Sequence, residues 1–148
     1  MFWDLFHRRR VTRVVDHPAF GRLEFTPTLG WSNQAFSFWG FTPVQLLIDA
    51  SENGPTKEQE EAFLRLVDKQ SALLPRLLAA VAEQRADTVR PEGVPAVRTL
   101  SVPALGSPGP ARTGSLWTIW FEYPAEEIWG YGVQSQDDWV TFRAFAED

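Results

Sequence analysis

Two histidines, His7 and His17, stand ten residues apart near the start of this 148-residue chain, and there is no cysteine. A zinc site draws its ligands from imidazole, thiolate and carboxylate. No third nitrogen or sulfur ligand exists here, so no metal is expected. Asp137 and Asp138 are adjacent carboxylates, but a calcium loop spreads oxygen ligands over alternating positions around a glycine. The pair reads instead as the polar turn before the last strand. Nucleophilic catalysis lacks its parts, because there is no Gly-x-Ser-x-Gly elbow and both histidines lie within the first 17 residues. Gly130-Tyr-Gly132 lacks the third glycine and the strand-to-helix setting that a nucleotide phosphate requires, and these glycines read as flexures of a strand. No cofactor is expected.

The enzyme chemistry that survives this sorting uses paired carboxylates. Glu122, Glu126 and Glu127 lie close in sequence to Trp117, Trp120 and Trp129, and acids beside an aromatic wall are the parts of a glycosidase cleft. Solvated acids beside a packed hairpin is the simpler reading, and the chain is taken as non-enzymatic. Its seven tryptophans divide by context. Trp39, Trp117 and Trp139 fall within strand runs and are expected in the core. Trp31 and Trp129 occupy glycine-flanked connections, where an exposed ring would serve as a binding anchor.

Composition bounds the rest. A chain of this length suits one domain that buries roughly 70% of its unfolded surface. With 44% hydrophobic and 22% charged residues it falls among ordinary folded domains. The opening Met1-Phe-Trp-Asp-Leu-Phe-His-Arg-Arg-Arg has neither a central apolar region nor a small-residue cleavage site, so it does not read as a secretory signal. No run approaches the roughly 18 apolar residues of a membrane helix, and a cytoplasmic location is expected. Phe2, Trp3, Leu5 and Phe6, followed by Arg8 to Arg10, make an arm over residues 1–13 that could meet a membrane surface, a partner or its own domain. The net charge is -5; without the arm, 10 basic side chains stand against 18 acidic ones. Such a body repels nucleic acid and suits a basic partner.

The elements that must position these residues follow from periodicity. Gly21 to Thr26 and Gln34 to Phe41 alternate as strands, with Leu23 and Phe25 inward on the first and Phe36 and Phe38 sharing a face on the second. Val44 to Ala50 is a third strand, ended by the Ser51-Glu-Asn-Gly-Pro cluster. Thr56 and Gln59 have the spacing of a capping box, with Glu58, Glu60 and Glu61 in the first turn, and the apolar stripe that follows predicts helix to about Ala86. Pro75 predicts a kink, or a second helix starting near Ser71. Val97 to Leu105 reads as a proline-tolerant edge strand and Ser107 to Gly114 as a hairpin loop. Leu116 to Tyr123, Tyr131 to Ser135 and Trp139 to Phe145 complete the set. The expectation is an α+β domain over 14–148, mainly an antiparallel sheet of about six to seven strands, with a helix or helix pair over about 56–86 on one face.

Three stretches carry a resemblance: His17-Pro-Ala-Phe-Gly-Arg-Leu; Val44-Gln-Leu-Leu-Ile-Asp leading into Thr56-Lys-Glu-Gln-Glu-Glu-Ala-Phe; and Glu127-Ile-Trp-Gly-Tyr-Gly-Val followed by Gln136-Asp-Asp. Their order resembles a group of small bacterial domains, some of them suspected immunity proteins beside polymorphic or contact-dependent toxins. In that group the late strand tends to carry an acidic residue and a histidine before Gly-x-Gly-Val, whereas Trp129 precedes Gly130 here, and no site residue carries over. The resemblance implies a fold and a habit of association; with the acidic body and the excess of aromatic residues, the expectation is an immunity protein that binds and neutralises a cognate toxin. Trp129 and Tyr131 are then expected as anchors, with Glu126, Glu127, Asp137 and Asp138 as the charged surround of a protein partner such as a basic toxin domain. A structural or adaptor module of a secretion or phage-derived assembly, docking through the Phe2 to Arg10 arm, is the alternative.

Overall fold

A computed structural model describes residues 10–85, 93–105, 116–124 and 130–147. Among them, eight strands and two helices follow in the order β1 (Arg13–His17), β2 (Gly21–Thr26), β3 (Gly30–Phe38), β4 (Phe41–Ile48), α1 (Lys57–Asp68), α2 (Gln70–Arg85), β5 (Ala96–Val102), β6 (Trp117–Glu122), β7 (Gly130–Ser135) and β8 (Arg143–Glu147). The strands form one sheet in which spatial order equals chain order. Each neighbouring pair is antiparallel except β4 and β5, which run parallel. A parallel pair needs a crossover connection, and the helix pair lies in the segment that supplies it.

The α+β class and the helix-on-sheet arrangement stand as expected, but the strand count is higher. The added strand is β1, and backbone pairing begins at the Thr12 amide, which donates to the Phe25 carbonyl at 2.9 Å. β1 escapes a periodicity reading because it is an edge strand whose Val14 is 48% exposed. β5 reverses a second expectation. It lies between β4 and β6 rather than at an edge, and Pro95 and Pro103 stand just outside its ends, where neither removes a ladder hydrogen bond. The last strand starts at Arg143, and Trp139 belongs to the preceding turn, buried and at φ 67°. The expected Ser107 to Gly114 loop lies outside the described residues.

The helical region is a pair divided at Lys69; the second helix starts at Gln70, next to the Ser71 start expected, and Pro75 sits inside its first two turns. The break is held from the sheet side. Trp39, at φ 52° in the turn between β3 and β4, donates its indole N–H to the Val67 carbonyl at 3.3 Å, and Gln70 Nε2 donates to the Trp39 carbonyl at 3.1 Å. Trp39 and Gly40 both have positive φ, the geometry of the type I′ hairpin turn whose twist matches the flanking strands.

The α1 start repeats the capping box predicted from sequence and adds to it. Gln59 N–H donates to Thr56 Oγ1 at 3.1 Å, and Thr56 N–H donates to Gln59 Oε1 at 2.9 Å. Gln59 is fully buried, and its Nε2 donates to the carbonyls of Asp49 and Pro103 at 2.9 and 2.8 Å. One amide therefore ties the helix start to the ends of both parallel strands.

Alternation then sorts the sheet into two faces. Val44, Leu46 and Ile48 of β4, Val97, Leu100 and Val102 of β5, and Ile119 and Phe121 of β6 are buried. Phe63 of α1 meets Phe20, Phe36 and Phe38 with centroids 4.9, 5.7 and 6.2 Å away. Removing such a ring costs about 4 kcal/mol. α2 lies against β7 and β8.

A groove on the open face of the sheet

Residues of the opposite parity point away from the helices, and register aligns them in rows across the strands. Gln45 of β4 pairs with Thr99 of β5, Thr99 with Trp120 of β6, Trp120 with Gly132 of β7, and Gly132 with Phe145 of β8. One flanking row contains Leu47, Ser101, Thr118 and Gln134; the other contains Glu122, Gly130 and Glu147. A groove of about 860 Å³ crosses this face from Gln34 on β3 to Glu147 on β8.

The two glycines of β7 explain its shape. A Cβ built on Gly130 would stand 3.3 Å from both Cε3 and Cζ3 of Trp120, and one on Gly132 would stand 2.7 and 2.9 Å from Cε1 and Cε2 of Phe145. Both aromatic side chains therefore occupy space that a side chain on β7 would take. Phe145 meets Trp120 edge-on, centroids 5.3 Å apart and planes at 80°, an arrangement favoured by ring quadrupoles. The glycines read from sequence as flexures are instead close-approach positions. Aromatic strands on either side of a Gly-x-Gly strand were the signal for this.

Among the described residues that line the groove, charge is close to balanced. A register shift between Val97 and Thr99 sets Arg98 outward, and its Nε lies 3.2 Å from Glu122 Oε2, both side chains about half exposed. Such a pair contributes little stability, but it offsets the charge of Glu122. Among the described residues, the other ionisable side chain lining the groove is Glu147. Thr99 and Gln45 touch through a long contact of 3.5 Å from Oγ1 to Oε1.

The residues singled out from sequence distribute differently. Glu126, Glu127 and Trp129 lie outside the described residues. Tyr131 is not a surface anchor: it is fully buried on the helix side, edge-on to Tyr123 at 5.6 Å. Trp31 is likewise fully buried, and its indole N–H donates to the Ser51 carbonyl at 2.7 Å. Trp117 and Trp120, three residues apart on one strand, face opposite sides and form no common wall, Trp117 being 3% exposed.

The acidic turn has internal work. The Asp137 carboxylate accepts from the hydroxyl of Thr141, from the Thr141 N–H at 2.9 Å and from the Ser135 hydroxyl at 3.0 Å. These bonds, the Thr141 hydroxyl foremost, hold its carboxyl below the ordinary aspartate value against a smaller opposing effect of desolvation. Asp138, at φ 57°, accepts from Arg65 Nε at 3.0 Å and lies 3.8 Å from Lys69 Nζ, fastening the turn to α1.

His17 is similarly committed: its Nδ1 accepts from the amides of Ala19 and Phe20 at 3.0 and 3.3 Å, closing the turn between β1 and β2. Among the described residues, no group of three or more histidines and carboxylates is placed to hold a metal, and no helix is long and apolar enough to cross a membrane. Comparison with protein-family models, with curated proteins and with solved structures finds no match to this chain.

Proposed function

We propose that the chain is a non-enzymatic binding protein whose working surface is the groove on the open face of the sheet. The observation that carries this reading is Trp120, half buried at the groove and held by Gly130 and Phe145. A large apolar side chain kept partly in solvent forgoes part of its burial energy. A ring fixed in place before contact also loses less rotamer freedom on binding.

The test compares the tagged full-length protein with Thr99→Arg, which fills the groove from its central row. Both are exposed to lysate of the native host, and every retained species, protein or glycan, is identified. The reading expects a stoichiometric species held by the wild type and lost from the variant; equal retention by both removes the groove from consideration.

A second reading, the immunity protein expected from sequence, is supported by 19 acidic against 14 basic residues in the chain. Complementary charge would speed association with a basic toxin domain more than it would tighten the complex. In that case the retained species is a single basic toxin-domain protein, and expressing the chain protects cells from it.

A further inference from the structure

Resting on the reading that the groove is the binding site, we propose that its ligand is a neutral oligosaccharide, received with a sugar ring against Trp120. A pyranose presents an apolar face of C–H groups and a rim of hydroxyls, each both a donor and an acceptor. Its complement is a fixed flat aromatic ring surrounded by uncharged groups that can also donate and accept.

The central row has that order. Trp120 is braced edge-on by Phe145, and no side chain rises from Gly130 or Gly132 beside it. Next along the row stand Thr99 and Gln45, with Ser101 in the flanking row and Gln34 at the β3 end of the groove. Hydroxyl and carboxamide side chains each supply both a donor and an acceptor. The long Thr99–Gln45 contact, 3.5 Å, takes little of that capacity.

Charge decides between ligand classes. Among the described lining residues, Arg98 and Glu122 pair at 3.2 Å, leaving Glu147 as the unmatched charge. A basic protein loop would find one carboxylate there, and an anionic chain would meet that carboxylate on an acidic protein. A neutral polyhydroxylated ligand meets neither deficit. The groove crosses six strands, about 24 Å at the usual strand spacing, and its 860 Å³ accommodates a short chain of rings rather than one.

The deciding experiment records backbone amide and tryptophan indole NMR shifts of the full-length protein during titration with cellohexaose, maltohexaose, laminarihexaose and chitohexaose. The expected result is that at least one probe moves signals of Thr99, Ser101, Trp120 and Gly132 in a saturable way. Affinity then falls at least tenfold in Trp120→Ala and in Thr99→Arg, each confirmed folded by circular dichroism; Thr99→Arg leaves the platform itself intact. No saturable shift with any probe at millimolar concentration, or shifts mapping away from these rows, overturns the proposal. If the probes fail and the lysate species lost from Thr99→Arg is a protein, the sugar inference falls while the groove reading stands. If no variant-sensitive species exists either, both fall.

Discussion

Phe145 occupies, from the neighbouring strand, the space above Gly132, with two ring atoms 2.7 and 2.9 Å from where a methyl group on that glycine would stand. The ring must therefore move if β7 acquires a side chain there. Gly132→Ala should cost about 1–2 kcal/mol through overpacking and shift the indole signal of Trp120. In a Phe145→Ala background the same substitution should cost clearly less, giving a coupling energy by double-mutant cycle in denaturant unfolding. Additive effects would mean that the ring and the glycine are independent.

Gly30 and Gly40 both have positive φ, yet they should respond differently to substitution. A Cβ on Gly30 would lie 2.6 Å from the backbone carbonyl oxygen of Ile48, whereas one on Gly40 meets nothing within 4 Å. Gly40→Ala should cost about 1 kcal/mol, the conformational penalty alone. Gly30→Ala must displace β3 from β4 and should cost at least about 3 kcal/mol. Chemical denaturation of the two variants side by side measures the difference.

Gln59→Leu keeps most of the buried volume of the side chain but removes its donors to Asp49 and Pro103 and its share of the capping box. Two buried carbonyls lose a partner, so a loss of about 3 kcal/mol is expected. Glutamine's four hydrogen-bonding sites are the relevant property, and Gln59→Glu should also destabilise because the carboxylate cannot donate to those carbonyls. A urea midpoint near wild type for the leucine variant would contradict this role.

The Asp137 turn predicts a pH signature. Its carboxyl titrates below the ordinary value of 3.8 in the folded protein, chiefly through the Thr141 hydroxyl and then the Thr141 N–H. A depressed carboxyl contributes stability above the unfolded value and loses it as pH falls through the folded value. Asp137→Asn should therefore lower the melting temperature near neutral pH, and the deficit should narrow as pH falls below about 3.8. Thr141→Val should reproduce much of the effect, and melting curves across the acid range read both.

Local rules made the helix start readable: Thr56 and Gln59 have a fixed spacing and a fixed partner. What sequence withheld was the far end of Gln59, since its contacts with β4 and β5 depend on which strands come together. The same limit applies to β5, whose surrounding prolines suggest an edge but whose position follows from the crossover. Parity was available and would have separated Trp117 from Trp120 and turned Tyr131 inward with Phe121, its register partner. Trp139 followed a different rule: Ser135 and Asp137 bond into its turn, and the Trp139 amide donates to Ser135 Oγ at 2.9 Å, holding a bulky residue at a φ that its strand propensity opposes. The groove was legible only in pieces, as an unexplained Gly-x-Gly and two aromatic strands, because its central row requires four registers at once.

The identity of chain order and sheet order divides the molecule into two four-stranded meanders, β1 to β4 and β5 to β8, joined along a single parallel seam. Within each meander successive strands follow one another in the chain, whereas closing the seam requires bringing strands together across the whole helical segment. Loop-closure entropy and contact order assign the slow step of folding to that seam. Gln59, bonded to both sides of it, is therefore expected to lock late, and hydrogen exchange should show the two meanders opening as separate cooperative units once that lock is removed.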